Sequence, residues 1–147
     1  MLLFKKKFLD SIRRGEKIQT IRLWNRCRMR AGQRSYIPGI GYISIDEIQS
    51  VEIDHLTDAD AVPDGFDTAE ALRKELQTLY AEEIAKGFRA YRIRFSVFPP
   101  KEQQKMREEK RRSKERQNKR RQHDQKKKEF VETTLDKLHR MAAQPGN

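Results

Sequence analysis

The sequence predicts an α+β domain with a small mixed or barrel-like sheet, followed by a charged tail. Three observations predict it. The pattern signals run helix, strand, several short strands, helix, strand. The last of these segments, 88–98, alternates cleanly, with Tyr91, Ile93, Phe95 and Val97 on one side and Arg92, Arg94 and Ser96 on the other, as a half-buried strand does. Composition then breaks at Pro99-Pro100, a dipeptide without amide donors that interrupts strands and helices alike.

Taken in order, Phe4, Phe8, Leu9 and Ile12 recur at helical intervals before Gly15, and predict a helix over 4–14. Residues 17–23 read as a strand, with Ile18, Thr20 and Arg22 on one face and Gln19, Ile21 and Leu23 on the other. Gly32, Pro38, Gly39 and Gly41 punctuate the next stretch and leave short strands near 33–37 and 42–53. In the second of these, Ile43 and Ile45 are in phase with Val51 and Ile53 while Ile48 is out of phase, which predicts a bulge near Asp46-Glu47. Asp67, three residues before Glu70, resembles a capping box, and Leu72, Leu76, Leu79 and Tyr80 carry a helix over 68–86 to Gly87.

The chain has 147 residues with 33 Lys or Arg against 22 Asp or Glu, a formal charge of +11. That length suits one domain. Residues 1–98 hold 11 of the 12 aromatic residues and, with 17 basic and 14 acidic side chains, are only mildly basic. They form the expected folded domain. Residues 99–129 form a highly basic tail, either disordered or a solvated helix, because 14 cations, six acids and one clearly apolar residue, Met106, leave no face to bury. Residues 130–147 are a short amphipathic segment, Phe130, Val131, Leu135, Leu138 and Met141, with a polar end; the stripe over 130–142 suits a protein partner.

A lone cysteine, Cys27, excludes an internal disulfide and a cysteine-rich zinc site, and implies a reducing cytoplasm. No apolar run approaches the roughly 20 residues of a membrane span, and no secretory leader pattern is present, so no membrane role is expected. His55, His123 and His139 adjoin no second ligand at metal spacing, so neither metal nor cofactor is expected. The positive excess favours a polyanionic partner, nucleic acid first. Within the domain, residues 1–45 carry 11 basic and two acidic side chains and residues 46–85 carry two basic and 12 acidic. Either one lobe attracts polyanions, or the two halves neutralise each other across the fold.

The stretch richest in chemistry is Gly15-Glu16-Lys17-Ile18-Gln19-Thr20-Ile21-Arg22, where a glycine turn delivers an ammonium and then a hydroxyl and a guanidinium on one strand face. Together these groups can bind an anionic or carbonyl-bearing ligand; solvated cations at an ordinary helix-strand junction would read the same. Lys17 and Thr20, three apart, converge only if Lys17 lies in the turn.

The pattern Gly15-x-Lys17-x-x-Thr20-x-Arg22, preceded by an amphipathic helix and joined by Asp64-Gly65-Phe66 before the second long helix, resembles the ASCH domain family over residues 2–98. The resemblance implies a PUA-like small β-barrel with two flanking helices, and RNA or a modified nucleoside as partner. Thr20 stands where many ASCH sequences have Glu, as in the small bacterial amidohydrolases that remove acetyl from 4-acetylcytidine. By that resemblance Lys17 would be the proton acceptor, Thr20 the nucleophile and Asp64, where those enzymes have Glu, the proton donor. A lysine serves as a base only where burial or nearby cations depress its pKa, and Arg22 with Arg13 and Arg14 could supply the cations. The expected ligand-binding set is Gly15, Arg22, Trp24, Arg26, Pro38 and Gly39. Arg26, Arg28, Arg30 and Arg34 among Trp24 and Tyr36 combine cations with stacking faces, as single-stranded RNA binding requires. The leading expectation is an RNA- or nucleoside-binding module whose basic tail adds nonspecific affinity; 4-acetylcytidine hydrolysis is the alternative, and ribonuclease activity a third.

Overall fold

A computed structural model describes residues 1–143; the polar end expected at residues 144–147 lies outside the described residues. The chain divides into two compact units, of which the first is Met1–Gln103 and the second begins at Gln104.

The first unit is built on four antiparallel strands, β1 (Gln19–Trp24), β2 (Arg34–Ile37), β3 (Gly41–Val51) and β4 (Arg89–Val97), in the order β1-β4-β3-β2. They curl into a half-barrel, so β1 and β2 are its edges. The register shifts between Ile45 and Glu47, where the phase break in the sequence places a bulge. The alternation of β4 puts Ile93 and Phe95 into one core with Leu2, Ile12, Ile37, Ile43 and Ile45. The opposite face carries Ala90, Ile21 and Leu23 into a second core with Leu56, Ala61, Leu72 and Leu76. A sheet covered on both faces explains why β1 is buried at Gln19, Thr20, Ile21 and Leu23 alike.

The helices depart from the periodic reading in three places. The expected helix over 4–14 is a 3₁₀ turn at Lys6–Phe8 followed by α1 (Leu9–Arg13). Residues before it run beside β2, where the Leu2 amide donates to the Tyr36 carbonyl, and Phe4 packs on Phe95 at 5.7 Å instead of on a helix face. The expected helix over 68–86 is two helices, α3 (Ala69–Leu79) and α4 (Ala81–Ala85), broken at Tyr80. Its cap is Thr68, whose hydroxyl accepts the Ala71 amide, in place of Asp67.

The third departure is α2 (Asp58–Asp64), which the periodicity does not announce because its seven residues end in Pro63-Asp64 and contain little apolar pattern. Its capping box is formed by Thr57 and Asp60, and Gly65, at φ +91°, stops it. Asp60 also receives the Arg92 guanidinium from β4, so α2 is held against the sheet at one end and ends sharply at the other.

The first turn of α5 (Pro100–Ala142) belongs to this unit. The compact unit therefore runs past the Pro99-Pro100 break, because the buried Gln103 side chain mimics a strand partner. Its Oε1 accepts the Tyr42 amide at 2.8 Å and its Nε2 donates to the Tyr42 carbonyl at 2.7 Å. Gly41, at φ +123°, leaves room for it, since a Cβ there would stand 2.6 Å from Gln103 Oε1.

In the second unit, residues 104–142 are helical throughout, and no side chain there is buried. Cations lie on every side of the helix, and it is supported by its own (i, i+4) contacts, Arg111 with Glu115 and Gln125 with Glu129. Phe130, Val131, Leu135, Leu138 and Met141 fall within an arc of roughly 140° and are all at least half exposed or nearly so.

Asp60→Ala removes both the box and the Arg92 contact and is expected to destabilise the first unit by about 2 kcal/mol at neutral pH. The Thr57 amide, then Arg92, hold the Asp60 pKa below the usual carboxylate value. Its contribution is therefore complete above the unfolded pKa and lost as pH falls through the lower folded value. Urea unfolding should show the gap between Asp60→Ala and the parent closing in acid; a gap independent of pH contradicts the assignment.

Candidate functional site

The turn between α1 and β1 builds the centre of the site. Gly15, at φ +74°, lets the chain leave α1 and double back, so that the Glu16 and Lys17 amides both donate to the Ser11 carbonyl. The strand hydrogen bonding begins at Ile18, whose amide donates to the Pro63 carbonyl of α2 and whose carbonyl accepts the Phe95 amide of β4. Lys17 thus sits in the turn and escapes the strand alternation that would send it away from Thr20.

Lys17 is 2% exposed and Asp64 3%. Lys17 Nζ donates to Asp64 Oδ1 at 2.5 Å and to the Asp64 backbone carbonyl, so one residue at the end of α2 receives two of its protons. The ammonium also lies 4.7 Å from the Phe8 ring centroid and 5.6 Å from that of Phe4, which gives it π-faces in place of water. Arg22 holds the next position on the same strand face as Thr20, with its guanidinium 5.0 Å from the Phe4 centroid and Nη2 donating to the Leu3 carbonyl at 2.6 Å.

Burial dominates the electrostatics. It pushes the Lys17 pKa down, against the pull of Asp64 and with a further push from Arg22. It pushes the Asp64 pKa up, against the attraction and hydrogen bond of Lys17, a hydrogen bond from the Gln19 side chain and the attraction of Arg22. Both shifts disfavour the charged pair relative to its neutral tautomer, a neutral amine beside a carboxylic acid. Asp64 Oδ2 and Arg22 Nε are both closed off from solvent.

Lys17, Thr20, Arg22 and Asp64 line one cavity of about 340 Å³. Its lining also includes Phe4, Phe8 and Phe66 and, from α3, Leu72, Leu76 and Leu79. Lys5 and Glu75 also line it and are joined at 2.7 Å, with Lys7 at 3.9 Å from the same carboxylate. The pairs Lys5–Glu75 and Lys17–Asp64 join the basic and acidic stretches of the sequence, so the two halves neutralise each other here.

The other expected ligand contacts lie elsewhere. Gly15 shapes the turn without lining the cavity. Trp24 packs on the first core, 5.9 Å from the Tyr91 ring, and Arg26 is exposed in the following loop. Pro38 and Gly39 form an exposed turn in which the Gly39 carbonyl accepts from Arg13. Arg13 and Arg14 pair with Asp10 and Glu16, leaving Arg22 as the arginine that acts on Lys17. Glu75 and Gln19 are not among the residues the sequence assigns to a site. Glu75 was detectable as a charge inside the apolar stripe Leu72, Leu76, Leu79; Gln19, buried with Nε2 donating to the Asp60 carbonyl, carries no such signal.

Among the described residues, no cluster of three or more His, Cys, Asp or Glu could hold a metal ion, and no helix is long and apolar enough to cross a membrane.

No protein-family model matches the sequence, and no curated protein matches it. Solved structures do. The hypothetical protein PH0355 is 16% identical with a TM-score of 0.56, over 65% of this chain and 95% of that one. The ASCH domain from Lactobacillus crispatus is 16% identical with a TM-score of 0.52, over 60% and 69%. Protein EF3133 from Enterococcus faecalis is 15% identical with a TM-score of 0.54, over 63% and 67%. At these identities the likeness is one of architecture: the strand order, the covered half-barrel and the flanking helices give the first unit the PUA-like fold of an ASCH domain.

Proposed function

We propose that the first unit is an ASCH-type module that binds RNA or a modified nucleoside by taking a base into the cavity around Lys17, Thr20, Arg22 and Asp64, while the basic helix adds nonspecific affinity. The observation that carries this reading is the pairing of aromatic walls with buried charged groups in one hollow. Its volume of about 340 Å³ is that of a small-ligand site. Three phenylalanines line it beside the polar groups, the mixture of aromatic and polar contacts by which unstacked bases are held. The cations of residues 104–128, displayed on every side of a solvated helix, suit phosphates without reading sequence.

The chemistry of the Lys17–Asp64 pair favours a second reading, amide hydrolysis of 4-acetylcytidine. Transfer of one proton from Lys17 to Asp64 would leave an amine base beside a carboxylic acid, and burial moves the Lys17 pKa down and the Asp64 pKa up, lowering the cost of that transfer. Thr20 Oγ would then attack the acetyl carbonyl and give its proton to Lys17. The C–N bond breaks as the leaving nitrogen takes the Asp64 proton, and water releases acetate from the acetylated Thr20.

Incubation with 4-acetylcytidine separates the two readings. Release of cytidine and acetate that disappears in Lys17→Ala and Thr20→Ala establishes the hydrolase; nucleoside binding without turnover establishes the binding module.

For the helix, neutralising about eight phosphates gives single-stranded RNA binding a log-log salt slope of roughly −6. A chain ending at Gln103 should stay folded and lose most of that slope in fluorescence anisotropy. An unchanged slope would assign the salt-sensitive contacts to the first unit.

A further inference from the structure

The last stretch of α5 carries a feature that the rest of its solvated length lacks. Residues 104–129 hold 13 Lys or Arg against five Asp or Glu, with Met106 as their one large apolar residue. Residues 130–142 hold five, Phe130, Val131, Leu135, Leu138 and Met141, which are 49–72% exposed and share an arc of roughly 140°. The polar side chain within that arc is tied back onto the helix: the Thr134 hydroxyl donates to the Phe130 carbonyl at 2.7 Å, so its donor stays satisfied when the stripe is taken out of water. Apolar residues gathered on one side of an otherwise polar helix mark a face that another surface covers.

The distribution of charge selects that surface. An anionic membrane favours an excess of cations around an apolar stripe, but here Glu132 and Asp136 balance Lys137 and Arg140. These charges are also ordered along the helix, acids in the first half of the stretch and bases in the second. We infer that the stripe is covered by the same stripe of a second copy of this chain, laid antiparallel. The register that sets Leu135 of each copy opposite Leu138 of the other puts Val131 opposite Ala142 and brings Asp136 level with Lys137. The acidic half of each stretch then lies along the basic half of its counterpart, and the opposed helix dipoles add to the match. A parallel pair would set every charge level with its own duplicate and run the two cation-rich stretches, residues 104–129 of each copy, side by side. The antiparallel pair carries those stretches off in opposite directions. An overlap of about 20 Å falls short of the roughly 1,200 Å² that stable complexes bury, so the pair is a weak, reversible one.

The test is sedimentation equilibrium of the full chain over a concentration series, in about 0.15 M and about 0.5 M salt. A monomer–dimer equilibrium with Kd on the order of 10–100 μM is expected, tightening about threefold at the higher salt because the two copies repel at long range. Leu135→Ser combined with Leu138→Ser, with helicity checked by circular dichroism, should weaken it at least about tenfold. The orientation is read by disulfide trapping in a Cys27→Ser background, which leaves no native thiol. When Val131→Cys and Ala142→Cys chains are mixed, the mixed disulfide should form in preference to either homodisulfide; this arm and the parent series decide if the serine variant loses helix. A chain that stays monomeric throughout, association that ignores the leucine substitutions, or preference for the homodisulfides overturns the proposal. So does a monomer that binds anionic vesicles through the same leucines, which would assign the stripe to a lipid surface.

Discussion

A lysine and an aspartate taken almost wholly out of water must find each other, because either one alone would be an uncompensated buried charge. Most of the local architecture around the cavity follows from that requirement. The pair is not a source of net stability, since the desolvation of both ions roughly cancels their attraction; removal of one partner would leave the other exposed to the full cost. The chain meets the requirement with two glycine-terminated helices: α1 ends at Gly15 and turns Lys17 inward, and α2 ends at Gly65 with Asp64 as its last residue. The pairing of Ile18 with Pro63 ties the two ends together.

Once the ions are held, their surroundings set their chemistry. Phe4 and Phe8 replace water around the ammonium and line the hollow, so the groups that desolvate Lys17 also form part of the cavity wall. Arg22 raises the local positive potential and lowers the Lys17 pKa further. The domain and the helix that follows divide the electrostatic work. In the domain, acids and bases largely meet across the fold, at Lys5–Glu75, Lys17–Asp64 and Arg92–Asp60, whereas the later helix keeps its cations in solvent.

Where the fold is written in short-range periodicity, the sequence is easily read. The β4 alternation, the bulge after Ile45 and the stop at Gly87 are local patterns, and the structure has them. The motif around Lys17, read at the head of a strand, and Asp64-Gly65-Phe66 before a helix brought the two ends of the ion pair into view although 47 residues separate them; the turn that holds Lys17 is seen in the structure, where the strand starts at Gln19. What could not be read depends on tertiary contact. Phe4 has the spacing of a helical residue, but the attraction of Leu2 to the edge of β2 pulls the chain straight. α2 is too short for a period, and its stability comes from Thr57, Asp60 and Arg92. For Trp24 and Arg26 composition leaves a stacking or packing role open, and three-dimensional packing places the tryptophan partly buried against the first core and the arginine exposed in the following loop.

Lys17 and Asp64 form one buried pair whose titration is governed by burial. Heteronuclear NMR of the Lys17 side-chain Nζ as a function of pH tests it most directly. The account predicts that Lys17 titrates below the ordinary lysine range, apart from the solvated lysines of the helix, and that its Nζ signal responds when Asp64 is replaced by Asn. A Lys17 signal that titrates with the bulk of the lysines and ignores the Asp64 substitution would contradict it.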